Sequence, residues 1–133
     1  MTEKPISGPE MAAIVQEAVD RLPGGFIIYG PNHEILLTNE QNERDFPITN
    51  LGLRNGLSYR DAICESVKDL RPDLDHEAAY AASDNIVSAL ERGEHVEVKT
   101  AHGTVMQVVE LPLSFGGWVA VGADVTALRE RER

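Results

Sequence analysis

The sequence contains one cysteine, Cys64, and little positive charge: 12 lysines and arginines stand against 22 aspartates and glutamates. A single cysteine cannot form an intramolecular disulfide or supply a CxxC zinc or redox motif. The formal net charge of -10 repels phosphate backbones and anionic membrane surfaces, and the basic residues are scattered among acidic ones. The composition therefore predicts a protein that binds neither nucleic acid nor a membrane.

A long apolar run is also missing. The least polar stretch, residues 111–123, contains Pro112, Ser114 and three glycines, so it is too short and too interrupted to span a bilayer. The N-terminal residues have no basic start followed by an apolar core and do not form a signal peptide. With 42% hydrophobic residues among 133, we expect one globular domain in the cytoplasm.

The sequence carries none of the common catalytic signatures. It has no GxSxG, Walker loop, GxGxxG or HExxH. The glycine-rich Pro23-Gly24-Gly25 follows a helical pattern and precedes a strand pattern, the reverse of the order in a phosphate-binding loop. These absences favour binding over catalysis.

The N-terminal part predicts a flexible leader, residues 1–8, followed by a helix over residues 9–22. One apolar stripe at helical spacing runs along that helix: Met11, Ile14, Val15, Ala18 and Leu22. Such a stripe can pack on its own domain, or it can pair with the same helix of a second copy. Both interpretations remain open from the sequence.

Short strands and helices follow. Residues 26–29 and 34–38 predict a β-hairpin, Asn39 can cap a short helix that ends before Pro47, and residues 48–56 predict a loop. Two further helices are predicted, one capped by Ser58 and a longer one over residues 74–92 that stops at Gly93.

The C-terminal part predicts three strands. Alternation of apolar and polar residues marks one around Val96 and Val98, and two more cover residues 104–113 and 118–123. The last strand leads through Asp124-Val125-Thr126 into a charged tail that predicts a helix.

In this order of elements the chain resembles a PAS domain of the bacterial sensory-box type. The resemblance covers residues 15–128 and is carried by these positions: Leu22-Pro23-Gly24-Gly25-Phe26, Asn39, Glu91-Arg92-Gly93-Glu94, His102-Gly103-Thr104, Pro112-Leu113, Gly116-Gly117 and Asp124-Val125-Thr126. Two positions depart from the family pattern. His102-Gly103-Thr104 replaces the usual Asp-Gly-Arg turn, and Phe46-Pro47 lacks the common aromatic partner.

The resemblance implies an α+β fold: a five-stranded antiparallel sheet of order 2-1-5-4-3 with helices over one face. Residues 23–126 would form the PAS domain, between the flanking helix 9–22 and the start of a signalling helix, residues 127–133. Asp124 and Thr126 match the family's signal junction, where Thr126 can cap the emerging helix and Asp124 can fix the end of the strand. The family commonly encloses a pocket, and the residues expected to line it here are Ile28, Leu36, Phe46, Leu57, Ile63, Val67, Met106, Val108 and Trp118.

The resemblance does not identify a cofactor. Light-sensing relatives carry a reactive cysteine in an Asn-Cys-Arg-Phe-Leu motif, and residues 39–46 contain none, while Cys64 patterns as a buried structural thiol. The histidines predict solvated side chains rather than haem or metal ligands, because none belongs to a ligand cluster. We therefore expect neither flavin nor haem nor a metal ion.

The sequence thus predicts a sensory and dimerisation module without enzymatic activity. It would relay the state of a ligand or partner through terminal helices to an output domain, such as a histidine kinase or a cyclic-dinucleotide enzyme. Because the chain ends where a signalling helix would begin, we expect a part of a larger regulator; the alternative is a small stand-alone regulator. Two other functions stay open: a ligand-free PAS-like protein-interaction module, and a small α+β enzyme with an enclosed acidic site.

Overall fold

The computed structural model describes residues 6–132; the predicted leader lies mostly outside this range. The described chain forms five strands: β1 Gly25–Tyr29, β2 Ile35–Thr38, β3 Val96–Lys99, β4 Val105–Pro112 and β5 Trp118–Asp124. Six helices accompany them: α1 Gly8–Asp20, α2 Glu40–Asp45, α3 Pro47–Arg54, α4 Tyr59–Leu70, α5 His76–Glu91 and α6 Thr126–Arg131.

The strands form one antiparallel sheet of order β2-β1-β5-β4-β3, which confirms the predicted fold class and strand order. Ile27, Tyr29 and Ala120 form the buried centre of the sheet's inner face, and Val108 and Trp118 pack against them. The opposite, outer face is also partly apolar, because Ile28 pairs with Val119 there. In the described part of the chain, no helix is both long and apolar enough to cross a bilayer.

Local side chains set the helix starts. Asn39 Oδ1 accepts from the backbone N–H of Asn42 at 3.0 Å, and Ser58 Oγ accepts from that of Asp61 at 3.1 Å, so both predicted caps are confirmed. Gly93 has a φ of 76° just after α5, which is the left-handed geometry of the predicted C-terminal stop.

The predicted loop over residues 48–56 is wrong, because most of it is helix α3. Pro47 occupies the first turn, where its missing N–H costs nothing. Gly52 does not mark a turn: a Cβ there would lie 3.2 Å from the Cβ of Ala62. The glycine instead allows α3 to pack closely against α4.

Asn39 also ties the N-terminal helix to the domain. The side chain is 1% exposed, and its amide donates to the backbone oxygens of Val19 and Gly24, both at 2.8 Å. Its Oδ1 accepts a second hydrogen bond, from Phe26 N–H at 3.0 Å. One amide therefore joins α1, β1 and α2.

Candidate functional site

A cavity of about 550 Å³ lies between the inner face of the sheet and helices α2 to α5. Its walls are mostly apolar, with Ile63 and Val67 from α4, Ile86 and Leu90 from α5, and Val108 from β4. Phe46, Ile63, Val67 and Val108 were among the residues expected to line a pocket, and they lie in these walls. A concave, largely apolar site of this size suits a small organic molecule.

Two of the predicted lining residues face away from the cavity. Ile28 lies on the outer face, because Ile27 and Tyr29 on either side of it are the buried positions of β1. Leu36 is 56% exposed, since the register shifts between Ile28 and Tyr29 and brings Ile35 rather than Leu36 opposite Tyr29. Four consecutive apolar residues, 26–29, do not show which face of β1 is buried, and nothing in the sequence indicates the bulge.

Leu57 and Met106 also lie outside the cavity walls. Leu57 follows α3, is 40% exposed and sits against Gly52. Met106 does face inward and is almost fully buried, but a Cβ on Gly122 would lie 3.3 Å from its Cε. Met106 therefore fills the core beside Gly122 instead of lining an open space.

Trp118, the last predicted lining residue, belongs to an aromatic and charged cluster beside the cavity. The His33 imidazole lies between two rings, 4.0 Å from the Tyr59 centroid and 4.3 Å from that of Trp118, and nearly parallel to both. The buried Glu110 carboxylate accepts from the Tyr59 hydroxyl at 2.7 Å and lies 3.2 Å from His33 Nε2. The prediction that His33 is a solvated turn residue is wrong.

The environment of this cluster disfavours tyrosinate. Burial, reinforced by the nearby Glu110 carboxylate, raises the pKa of Tyr29 well above its usual value. Burial also raises the pKa of Tyr59, and the neighbouring Tyr29 and Glu110 add to the effect. Both phenols therefore remain protonated donors at neutral pH.

A signal for this cluster was present in the sequence. Met106, Val108 and Glu110 alternate along β4, so the pattern that points the first two inward points Glu110 inward as well. A carboxylate at an inward strand position requires partners. Its partner His33 comes from the β1–β2 turn, at a φ of 59° that the sequence pattern did not indicate.

Tyr29 and Tyr59 line the cavity, whereas His33 and Glu110 are not among its lining residues. A catalytic site of the predicted acidic type would need a His–carboxylate pair or two carboxylates converging inside the cavity. The His33–Glu110 pair instead lies beside the cavity wall, and packing and hydrogen bonds account for it.

Asp124 and Thr126, the residues predicted to form a signal junction, lie where β5 ends and α6 begins. Asp124 Oδ1 accepts from Thr126 N–H at 2.9 Å and from the Thr126 hydroxyl at 2.6 Å, which lowers the pKa of Asp124. Thr126 does not cap α6, because it is the first helical residue and its Oγ1 accepts from Val105 N–H at 2.8 Å. Asp124 and Thr126 thereby fix the start of α6 to the start of β4.

A second contact, which the sequence did not predict, also holds α6. Arg129 donates through Nε and Nη2 to the two carboxylate oxygens of Glu97, at 2.6 and 2.7 Å. This bidentate pair joins the last helix to the edge strand β3 and lowers the pKa of Glu97.

The apolar stripe of α1 faces solvent. Met11, Ile14, Val15 and Leu22 are each at least 36% exposed, and Ala18 is exposed as well. The helix binds the domain through other positions: Val19 is buried, and Gln16 Nε2 donates to the Thr38 carbonyl at 2.9 Å. The stripe therefore does not pack on its own domain.

Sequence and structure comparisons place this architecture among known proteins. A family model described as the PAS fold matches residues 19–133. A comparison with curated proteins finds no match.

Several solved structures are similar at low identity. An RNA-binding light-oxygen-voltage receptor aligns over 99% of this chain at 18% identity with a TM-score of 0.48, and this chain spans 39% of that receptor. A domain of a sensory box sensor histidine kinase/response regulator from Geobacter sulfurreducens aligns over 89% of this chain and 97% of its own, at 14% identity and a TM-score of 0.40. The PAS domain of an HTR-like protein from Haloarcula marismortui aligns over 87% and 98%, at 11% identity and a TM-score of 0.40.

Proposed function

The chain belongs to the PAS-fold family, and we propose that it is a sensory and dimerisation module of a signal-transduction protein. In this proposal a small molecule or a protein partner changes the state of the cavity, and the terminal helices carry the change to an output domain. The sensory domain comprises residues 23–126. It is flanked by residues 9–22, which include most of α1, and by residues 127–133, which include most of α6; Arg133 lies outside the described residues. The proposal assigns no catalytic step to this chain.

The two faces of β3 carry the proposal. Val96 and Val98 line the cavity, while the Glu97 side chain between them binds Arg129 of α6. Within residues 6–132, β3 is an edge strand with β4 as its one neighbour, so it can shift without breaking hydrogen bonds to a second strand. A displacement of β3 by a cavity occupant would therefore reach α6 through the Glu97–Arg129 ion pair.

The strength of this ion pair suits a switch. The Glu97 and Arg129 side chains are 39% and 33% exposed, and solvent weakens an ion pair at such exposed positions. Such a contact holds α6 in one position, yet a ligand with a small difference in affinity between two states can release it. The presence of a cavity also favours ligand sensing over the alternative of an interaction module whose interior is filled.

Hydrogen exchange of the α6 amides tests the proposed contact. Glu97→Gln, which keeps the shape of the side chain and removes its charge, should speed exchange in α6 while leaving the inner strands β1 and β5 protected. Glu132→Gln is the matched control, because Glu132 directly follows α6 and pairs with the same arginine through a local contact at 3.3 Å, three residues along the chain.

A charge swap completes this experiment. Glu97→Arg combined with Arg129→Glu should restore slow exchange, since the pair is re-formed with its ends reversed. If the α6 amides of Glu97→Gln exchange as slowly as those of the natural protein, β3 does not hold α6, and the proposed transmission from the cavity through β3 to α6 is wrong.

The exposed stripe of α1 supports dimerisation. Met11, Ile14 and Val15 form an apolar face turned away from the domain, while Gln16 and Val19 attach the helix. Exposed apolar surface on an otherwise anchored helix favours pairing with a second copy, because association removes that surface from water. The proposed dimer would bring the two copies' flanking helices together.

A further inference from the structure

The basic residues that line the cavity are exposed to solvent and lie at its mouth. Arg71 donates through Nη2 and Nε to Asp73, at 2.8 and 3.0 Å, so its charge is already paired. Lys99 alternates with Val98 along β3, and its side chain therefore leaves the strand on the same side as that of Glu97. Among residues 6–132, the lining thus offers no buried cation to a ligand.

Asp45 is the charged lining residue that is buried, with 3% exposure. Both of its carboxylate oxygens lie 3.0 Å from Gln41 Nε2. An anionic ligand would bring a second negative charge into this interior without a cation to offset it. A cationic ligand would have to lose its hydration for a carboxylate that the Gln41 amide already holds. The interior therefore disfavours a charged ligand of either sign.

The amide side chains of the lining are paired with protein groups. Asn42 is buried, and its Nδ2 donates to Thr38 Oγ1 at 3.1 Å. Asn50 is buried as well, and its Nδ2 donates to Glu43 Oε2 at 3.2 Å. A ligand that used either of these donors would first have to break a hydrogen bond within the protein.

The hydroxyl groups of the lining are also paired, but they keep some capacity. Thr49 and Ser66 share a hydrogen bond at 2.5 Å, and Thr100 shares one at 2.6 Å with the threonine at the other end of its turn. Tyr59 donates to the buried carboxylate of the aromatic cluster at 2.7 Å, and the Tyr29 hydroxyl lies beside that of Tyr59. Since a hydroxyl has one donor and two acceptor sites, the walls can accept a neutral polar group without requiring one.

The rest of the wall is mainly aliphatic. Two helices and the edge strand contribute the following side chains: Ile63, Val67, Ile86, Leu90, Val96 and Val98. Water beside such side chains lacks hydrogen-bond partners, so its release and the new contacts favour an apolar occupant.

We propose that the cavity binds an uncharged, mainly apolar organic molecule, held by the aliphatic walls of α4, α5 and β3 rather than by a salt bridge. The molecule lies against Val96 and Val98, on the inward side of β3, so its bulk determines the position of that strand. This inference rests on the proposed sensory function and specifies the ligand class for the same cavity.

Probes that share a heptyl chain and differ in the head group test the ligand class: heptanol, heptylamine and heptanoate. Each is titrated into the full chain at neutral pH and followed by NMR chemical shifts of the backbone amides. Heptanol should bind at least about tenfold more tightly than either charged probe, because a charged head group loses hydration in this interior.

A second series varies the apolar area and keeps the head group. From hexanol to heptanol to octanol, affinity should rise about fourfold with each methylene, as expected when a methylene leaves water for an apolar wall. A ligand held mainly by its head group would show no such dependence on length.

Variants assign the binding to the cavity. Ala82→Phe fills the cavity from α5 and should weaken heptanol at least about tenfold, whereas Ala81→Phe adds the same ring at an exposed position and should leave binding unchanged. Val67→Thr keeps the shape of a wall residue and replaces a methyl group by a hydroxyl. It should weaken octanol several-fold without disturbing the fold.

The proposal is overturned if heptylamine or heptanoate binds as tightly as heptanol, if affinity does not rise with chain length, or if no alcohol binds. It is also overturned if Ala82→Phe and Val67→Thr both leave alcohol binding unchanged, because the alcohol then binds outside the cavity. These results are separate from the proposed transmission through β3, since Glu97→Gln reports on the contact between β3 and α6 in the absence of any probe.

Discussion

At the scale of single residues, Glu110 and Asn39 show how polar groups organise the interior. Glu110 holds Tyr59 and His33 against the sheet, and Asn39 joins three elements through one amide. Both side chains are buried, so each hydrogen bond lost would leave a desolvated partner behind.

Removing the carboxylate should therefore be costly, while neutralising it should not. Glu110→Ala leaves the Tyr59 hydroxyl and His33 unpaired and opens a void, so we expect the free energy of unfolding to fall by about 2–4 kcal/mol. Glu110→Gln keeps the shape and a hydrogen-bonding oxygen, and should cost about 1 kcal/mol or less. Urea unfolding measures both; equal losses for the two variants would contradict the proposed role of the hydrogen bonds.

The sequence predicted Asn39 and Ser58 as caps because capping depends on residues three apart. It could not predict the partners of Glu110, since His33 and Tyr59 approach it only through the tertiary fold. The predicted pocket residues divide in the same way. The inward position of Ile63 and Val67 follows from helical spacing, whereas that of Ile28 and Leu36 would require knowing which face of β1 is buried and where the β1–β2 pairing has a bulge.

At the scale of elements, the β5–α6 junction decides how the last helix leaves the sheet. Asp124 accepts both the N–H and the hydroxyl of Thr126, and Thr126 in turn accepts from β4. These contacts are local to one strand end, so they can be weakened without unfolding the domain.

Acid should weaken this junction. The hydrogen bonds from Thr126 lower the pKa of Asp124, so their stabilisation is complete above the usual pKa of an aspartate and is lost as pH falls through the lowered value. The protection factor of the Thr126 backbone amide, which is its exchange rate relative to the intrinsic rate at the same pH, should stay constant at neutral pH and fall only below about pH 4. In Asp124→Asn, the protection of the Thr126 backbone amide should depend less on pH. If the natural protein and the variant lose protection equally in acid, another group, for example Glu97, causes the loss.

Helix α3 marks the limit of element prediction from this sequence. Residues 48–56 contain two asparagines and two glycines, which are typical of loops, yet packing against α4 stabilises most of the segment as a helix. The strands were predicted better, because their alternation and glycine turns are local signals.

At the scale of the whole molecule, the domain leaves apolar surface uncovered on α1. The stripe was predicted from spacing alone, but its partner was not, because a helix of this pattern can face its own domain or another copy. The structure excludes packing of the stripe on its own domain, because the stripe is exposed and Val19 beside it makes the contact with the domain.

A charge on this stripe should dissociate the proposed dimer. Ile14→Glu places a carboxylate in the apolar contact, so we expect at least a tenfold weaker dimer, measured by light scattering over a concentration series. Ala13 is next to Ile14 in the sequence but lies on the opposite side of the helix from the stripe. Ala13→Glu is therefore the matched control and should leave association unchanged. A natural protein that stays monomeric throughout the series would contradict the dimer.

The proposed coupling of the cavity to α6 through β3 is tested most directly by filling the cavity from α5. Ala82→Phe adds a ring from α5 into the cavity without altering β3, whereas Ala81→Phe adds the same ring to an exposed position of the same helix. Hydrogen exchange of residues 126–132 should quicken in Ala82→Phe and not in Ala81→Phe. Equal protection of α6 in both variants, with the sheet intact, would contradict the coupling.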